Sequence, residues 1–259
     1  MNFFFVMNGR RLKKYLFILI ACVFAAGVIY SERNNITVFS YDEPSAIYSV
    51  ETDKKMLALT FDISWGDTMA EPILNILQDK GVTKATFFLS APWSESHPDI
   101  VKKIVDAGYE IGSHGYKHVN YSTLTDEEIR QQIIAAHNVL QKMTGKSPNL
   151  IRLPNGDFDR RVLRIANELN YKVIQWDTDS MDWMTPGADS IVQRVTQKAH
   201  KGDIILMHAS DSAKQTPEAL PQIIDQLRSK GYEFVTVSDL IYQTSMDHND
   251  VRDQGPGQG

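Results

Sequence analysis

Ionisable side chains recur in this sequence where short apolar runs end. Asp62 closes "LALTFD", His114 and His118 stand in "SHGYKH", Arg152 lies in "LIRLPNG", Asp177, Asp179 and Asp182 follow "YKVIQW", and His208 closes "DIILMH". Each has a definite chemical use. A His-x-x-x-His spacing offers both imidazoles to one divalent cation if the segment is helical, because residues four apart share a helix face. An arginine ahead of a proline-fixed turn suits the orienting of a carboxylate. A histidine paired with an aspartate can serve as general acid, the carboxylate raising the imidazole pKa so that it holds a proton near neutrality. "DSMDW" supplies candidate carboxylates, and Leu206 precedes His208 on the same strand face. Trp183, beside Asp182, suits a cleft wall and core packing equally. Ile63, next to Asp62, can ligate nothing.

These residues need elements that converge on one face. The β-like runs are "KMLALTF", "KATFFLS", "YEIGSH", "LIRLP", "YKVIQWD", "DIILMH" and "EFVTVS", and stretches of helical period run over 69–80, 100–107, 126–144, 160–170, 190–200 and 217–230. Thr125 with Glu128 makes a capping box, and Gly81, Gly108, Gly145 and Gly231 mark helix ends. Regular alternation of strand and helix implies a parallel sheet with right-handed crossovers, closed into a barrel or open and doubly wound. In either case sites gather at the carboxyl ends of the strands. A lone histidine or aspartate there is ordinarily a cap. Ionisable groups at successive strand ends are not readily explained as caps.

Composition narrows the classes. A chain of 259 residues, 42% hydrophobic and 23% charged, can build one sizeable core. The net charge of −5 carries no long basic block, so no nucleic-acid partner is expected. Cys22 is the lone cysteine, which excludes an internal disulfide and a cysteine zinc cluster. At the N-terminus "GRRLKK" precedes the uncharged run Tyr15 to Tyr30, as in a positive-inside export signal. An uncleaved anchor is favoured, because no small-x-small cleavage site closes the run. Cys22 is followed by further apolar residues rather than a polar linker, which argues against lipidation. The expected organisation is a signal-anchor and linker over 1–35, a catalytic-type domain over 36–244 and a flexible tail over 245–259. The domain is expected outside the cytoplasm, anchored or secreted, and monomeric.

Taken in order, "TFD", "SHGYKH", "RLPNG", "DSMDW" and "LMH" resemble the motifs of the polysaccharide deacetylase, or NodB-homology, family, in particular its sporulation-type members, over about Met56 to Ile241. The resemblance implies a distorted (β/α)7-8 barrel and removal of N-acetyl groups from GlcNAc or MurNAc residues of peptidoglycan or chitin-like glycans, in spore cortex or cell-wall maturation. It implies Asp62 as the base, held by Arg152, and His208 as the acid, tethered by Asp182. His114 and His118 would hold a divalent Zn, Co or Mn ion, and Trp183, Leu206, Pro154 and Gly156 would shape the substrate site. Family members usually carry a second aspartate, the third metal ligand, where this chain has Ile63. Asp67 is the nearest substitute. Ile63 therefore leaves open a second class of function, a glycan-binding protein with a degenerate metal site.

Overall fold

The computed structural model describes residues 13, 15–21, 23 and 44–243. Contacts divide the chain into two units, residues 1–43 and 44–259. In the first, residues 15–21 are helical. Among the described residues no helix is long and apolar enough to cross a membrane. Most of the expected signal-anchor and the expected tail lie outside the described residues.

The second unit alternates as the sequence implies. Its strands are β1 (Met56–Ile63), β2 (Thr86–Leu89), β3 (Glu110–Ser113), β4 (Leu150–Ile151), β5 (Lys172–Val173), β6 (Thr178–Asp179), β7 (Asp203–His208) and β8 (Glu233–Phe234). The helices are α1 (Ala70–Asp79), α2 (Ala91–Ser96), α3 (Pro98–Asp106), α4 (Asp126–Thr144), α5 (Arg160–Glu168), α6 (Ala188–Lys198) and α7 (Thr216–Ser229). The capping box forms: Glu128 N–H donates to Thr125 Oγ1, and Thr125 N–H donates to the Glu128 carboxylate. Such a cap stabilises a helix by about 1 kcal/mol. Gly145 ends α4 in the left-handed conformation that a side chain disfavours.

All strand pairings are parallel, in the order β5-β4-β3-β2-β1-β7-β6, with β8 beside the start of β1. The sheet is a curled half-barrel. The expected barrel does not close by strand pairing, because β5 and β6 stand at opposite ends of the ladder. Residues 47–49 lie along this opening instead, with Ile47 bridged to Ile174 and Ser49 to Asp203.

Every residue of β1 is buried, since neighbours flank both of its edges and its two faces meet different cores. Leu57, Leu59, Phe61 and Ile63 join the cluster packed under Ile73, Leu77, Ile191 and Ile223 of the helices. Met56 and Ala58 face the inside of the curl with Phe88, Ile174 and Ile204. Alternation along the strand then turns Thr60 and Asp62 inward and Ile63 outward.

Candidate functional site

At the carboxyl ends of the strands lies a cleft of about 390 Å³ lined by Asp62, His114, His118, Gly156, Trp183, Leu206 and His208, together with Ser64, Trp65, Asn155, Trp176, Asp179, Ser210 and Ser212. Register brings its centre together: Asp62 is the direct neighbour of His208 on β7 and of Phe88 on β2.

Asp62 is held by Arg152. The guanidinium, wholly buried, donates from Nη1 to Asp62 Oδ1 at 2.8 Å and to Thr60 Oγ1 at 2.7 Å, and from Nη2 to the Gln175 carbonyl at 2.9 Å. It also lies over the Phe88 ring, 4.3 Å from its centroid. Arg152 Nε is buried with no hydrogen-bond partner among the described residues. Burial pushes the Asp62 pKa up, but Arg152, His114 and His208 together outweigh it and hold the carboxyl below its usual range. Thr60 was not picked out from the sequence, yet strand period alone puts it on the same face as Asp62. Its hydroxyl accepts from Arg152 and donates to the Ile205 carbonyl.

His208 is held by Asp182. His208 Nδ1 donates to Asp182 Oδ1 at 2.7 Å, while Asp182 Oδ2 accepts from His208 N–H at 2.8 Å and from Thr216 Oγ1 at 2.7 Å. Burial lowers the His208 pKa, and the hydrogen bond and charge of Asp182 reverse the sign, so it is raised overall. Nε2 is left as the titrating atom. Asp182 opens a single 3₁₀ turn, Asp182–Met184, between Met181 and Thr185, both left-handed at φ 58° and 51°. That turn presents Trp183, 48% exposed, in the cleft.

His114 and His118 lie with ring centroids 5.5 Å apart, but not on a helix. The segment between them is a loop, because Gly115 adopts φ +78° in contact with Tyr121, where a Cβ would stand 2.4 Å from Tyr121 Oη. His114 Nδ1 donates to the Arg152 carbonyl at 2.8 Å, which leaves Nε2 as a lone-pair donor. Burial is the main cause that pushes its pKa down to about 4. The ring is therefore neutral near pH 7, as metal ligation requires.

Among the described residues no third protein donor joins the two imidazoles. Ile63 is wholly buried in the helix-side core, and its carbonyl accepts from Ser90 N–H. Asp67 does not line the cleft: its Oδ1 meets His97 Nε2 at 2.6 Å. Among the described residues no group of three or more His, Cys, Asp or Glu side chains is arranged to hold a metal ion. The donor set of two imidazoles does not fit a site with three protein ligands.

Pro154 and Gly156 belong to a 3₁₀ turn, of which Asn155 and Gly156 reach the cleft while Pro154 is buried behind it. A Cβ on Gly156 would stand 2.8 Å from Trp176 Cη2, so glycine allows this close approach. Gln175 Nε2 donates to the Gly156 carbonyl and fixes the turn to the segment that carries Trp176.

The sequence and fold are similar to those of known proteins. Residues 49–174 match the model of the polysaccharide deacetylase family. A peptidoglycan-N-acetylglucosamine deacetylase of Bacillus cereus is 36% identical over 83% of this chain and 78% of its own. The crystal structure of BA3943, a CE4 family pseudoenzyme from Bacillus anthracis, is similar at TM-score 0.71 and 37% identity, covering 76% of this chain and 69% of that one. A BA3943 mutant with restored enzymatic activity is similar at TM-score 0.72 and 38% identity, covering 76% and 71%. On this likeness of sequence and fold, the chain belongs to the polysaccharide deacetylase family.

Proposed function

We propose that this protein binds the N-acetylated glycan strands of cell-wall peptidoglycan in the cleft between Asp62, His208 and Trp183 without the metal-dependent hydrolysis of active family members. The observation that carries this reading is the burial of Ile63. The position that would supply an anionic ligand holds an apolar side chain in the core, and no other described residue makes up the donor set.

Retention of the acid and base pairs does not by itself argue for turnover. Asp62 with Arg152, and Asp182 with His208 and Thr216, are buried polar networks that tie β1 to β4 and β7 to α7. Removing one member of such a network leaves a buried charge uncompensated, at about 3–5 kcal/mol. Folding alone gives a reason to keep them. The glycan is suggested by relatives of this chain, one a peptidoglycan-N-acetylglucosamine deacetylase and another a peptidoglycan-N-acetylmuramic acid deacetylase. We extend the proposal to location, an outward-facing domain at the cell wall or spore envelope, on the basic cluster ahead of the apolar run at the N-terminus.

A specific observation favours a second reading, acetamide hydrolysis with a divalent ion. His114 is in the tautomer a metal needs, and Asp62 and His208 are neighbours across one strand pair. Sedimentation with insoluble peptidoglycan tests the first reading. The protein is expected to bind N-acetylated sacculi and to lose binding to chemically de-N-acetylated ones; equal partition with both would remove acetamide recognition from the account.

A further inference from the structure

The half-barrel carries its charges unevenly between its two ends. The connections that lead from a helix into a strand, residues 80–85, 107–109, 145–149, 169–171, 199–202 and 230–232, hold Lys80, Lys84, Lys146, Lys201 and Lys230 and no Asp or Glu. Because every strand pairing is parallel, all of them lie at the amino end of the sheet, opposite the cleft. Lys172 opens β5 at the same end. The connections at the cleft end instead hold Asp67, Asp157, Asp159, Asp182 and Asp211. Part of the basic charge is answered locally: Lys80 pairs with Asp225 at 2.6 Å and Lys84 with Asp239 at 2.8 Å. Glu110 and Glu233 open β3 and β8 and offset some of it as well, and the lead into β1 sets Glu51 and Asp53 against Lys54 and Lys55. Lys146, Lys172 and Lys201 are exposed and make no ion pair among the described residues. The Lys230 ammonium donates only to the Thr196 carbonyl, which leaves its charge in place.

The same end receives the chain. Val50 N–H donates to the Gly202 carbonyl at 2.9 Å, and Gly202 takes φ +76°, where a Cβ would stand 1.8 Å from the Val50 carbonyl oxygen. Ile47 and Val50 pack on the cluster inside the curl, with Met56, Leu150 and Ile204 from the starts of β1, β4 and β7. The closing helix over 237–243 packs there too, through Leu240 and Ile241. Strap and helix each leave a tyrosine in water, Tyr48 at 47% exposure and Tyr242 at 64%. Lysines beside exposed tyrosines suit a surface of lipid headgroups: an ammonium pairs with phosphate, and a tyrosine ring settles with one end apolar and the other wet.

We propose that the amino end of the half-barrel rests on anionic lipid headgroups and so holds the cleft facing away from the bilayer. This rests on the reading of the run Tyr15 to Tyr30 as an anchor, which residues 31–43 join to the domain. Fully extended, that join spans at most about 45 Å. A tether of such length keeps the domain at high effective concentration near the bilayer surface. The chain as a whole is acidic, at −5, so an anionic surface favours the pose that presents the lysines over the one that presents the aspartates. Charge beyond a Debye length of about 8–10 Å is screened, which leaves the near face to decide.

The test uses the full chain in vesicles of phosphatidylcholine alone and of equimolar phosphatidylcholine and phosphatidylglycerol. Cys22 is the lone cysteine, so a Cys22→Ser background takes one fluorescent label at Tyr242→Cys, on the amino end, or at the exposed Lys214→Cys, on the cleft end. Flotation reads anchoring, and quenching by a headgroup spin label reads which end meets the lipid. With phosphatidylglycerol, quenching at 242 should exceed that at 214 by about fivefold or more, the effect of a single lysine near an anionic surface. High salt, phosphatidylcholine alone and the variant Lys146→Glu/Lys172→Glu/Lys201→Glu should each bring the two close to equal, with flotation unchanged. Equal quenching at both positions in the anionic vesicles, with the protein still floating, would overturn the lipid-facing surface and leave the anchor standing. A preference for 242 that ignores phosphatidylglycerol and the triple variant would overturn it too, by assigning proximity to the tether alone. Failure to float with either vesicle would remove the anchor and the surface that rests on it.

Discussion

Asp62 and Ile63 are consecutive residues of β1 that serve opposite sides of the sheet. Asp62 turns into the cleft, paired with Arg152, whereas Ile63 is buried under the helices with Leu59 and Phe61. The period of two along a strand is the physical reason. A carboxylate in place of Ile63 would have to leave that core to reach the histidine pair.

Ile63→Asp is therefore expected to lose on the order of 3 kcal/mol of stability without metal, the range for placing a charge among apolar side chains. Zinc should recover part of the loss, because an ion bound only by the folded state stabilises it. Ile63→Asn should lose stability with less recovery. Thermal unfolding with and without zinc reads both effects, and an apo Ile63→Asp as stable as wild type would contradict the burial argument.

Arg152 is expected to matter for folding before anything else. Arg152→Met strands the buried Asp62 carboxylate and should cost about 3–5 kcal/mol. The double variant Arg152→Met/Asp62→Leu should regain most of it, since no unpaired charge remains. Urea unfolding measures both; a loss below about 1 kcal/mol in the single variant would show that the pair is not a folding requirement.

The pH dependence of stability should bend at two histidines in metal-free protein. The His114 pKa falls from 6.5 to about 4 on folding, so its contribution is full above pH 6.5 and is lost as pH falls from 6.5 through 4. That shift corresponds to about 3 kcal/mol. The His208 pKa is raised, so its contribution is full below 6.5 and is lost as pH rises through its folded value. Asp62 is lowered, so its contribution is present above about 3.8 and is lost as pH falls through its folded value, below the His114 window. Chemical unfolding from pH 4 to 8 in chelator should show His114→Gln flattening the acid limb and His208→Gln the alkaline one. Unchanged limbs would dissociate these rings from the pH response.

Much of this was legible in the residues. The capping box at Thr125 and the helix over 126–144 follow from local chemistry, and the end of α4 from a glycine. Strand alternation puts Leu206 and His208 on one face, and the parallel alternation of strand and helix brings Asp62 to the same end of the sheet. Local period could not supply the rest. β6 is only Thr178–Asp179, too short to leave a periodic signal, and α2 follows β2 almost without a connecting loop. The His-x-x-x-His spacing suggested a helix, but Gly115 with positive φ turns the segment into a loop that still brings the rings together. Asp67 stood close enough in sequence to substitute for the missing ligand. Its engagement with His97 depends on α2 ending beside it, a tertiary fact that spacing does not carry.

The measurement that bears most directly on the central claim is acetate release from N-acetylated peptidoglycan and from the β-1,4 N-acetylglucosamine tetrasaccharide, with zinc, cobalt or manganese in excess. Binding without acetate above the protein-free control is expected for each metal, because two imidazoles and a buried isoleucine do not complete the donor set. Metal-stimulated acetate release by the wild-type chain, lost in His114→Ala, would contradict the account and establish the protein as an active deacetylase.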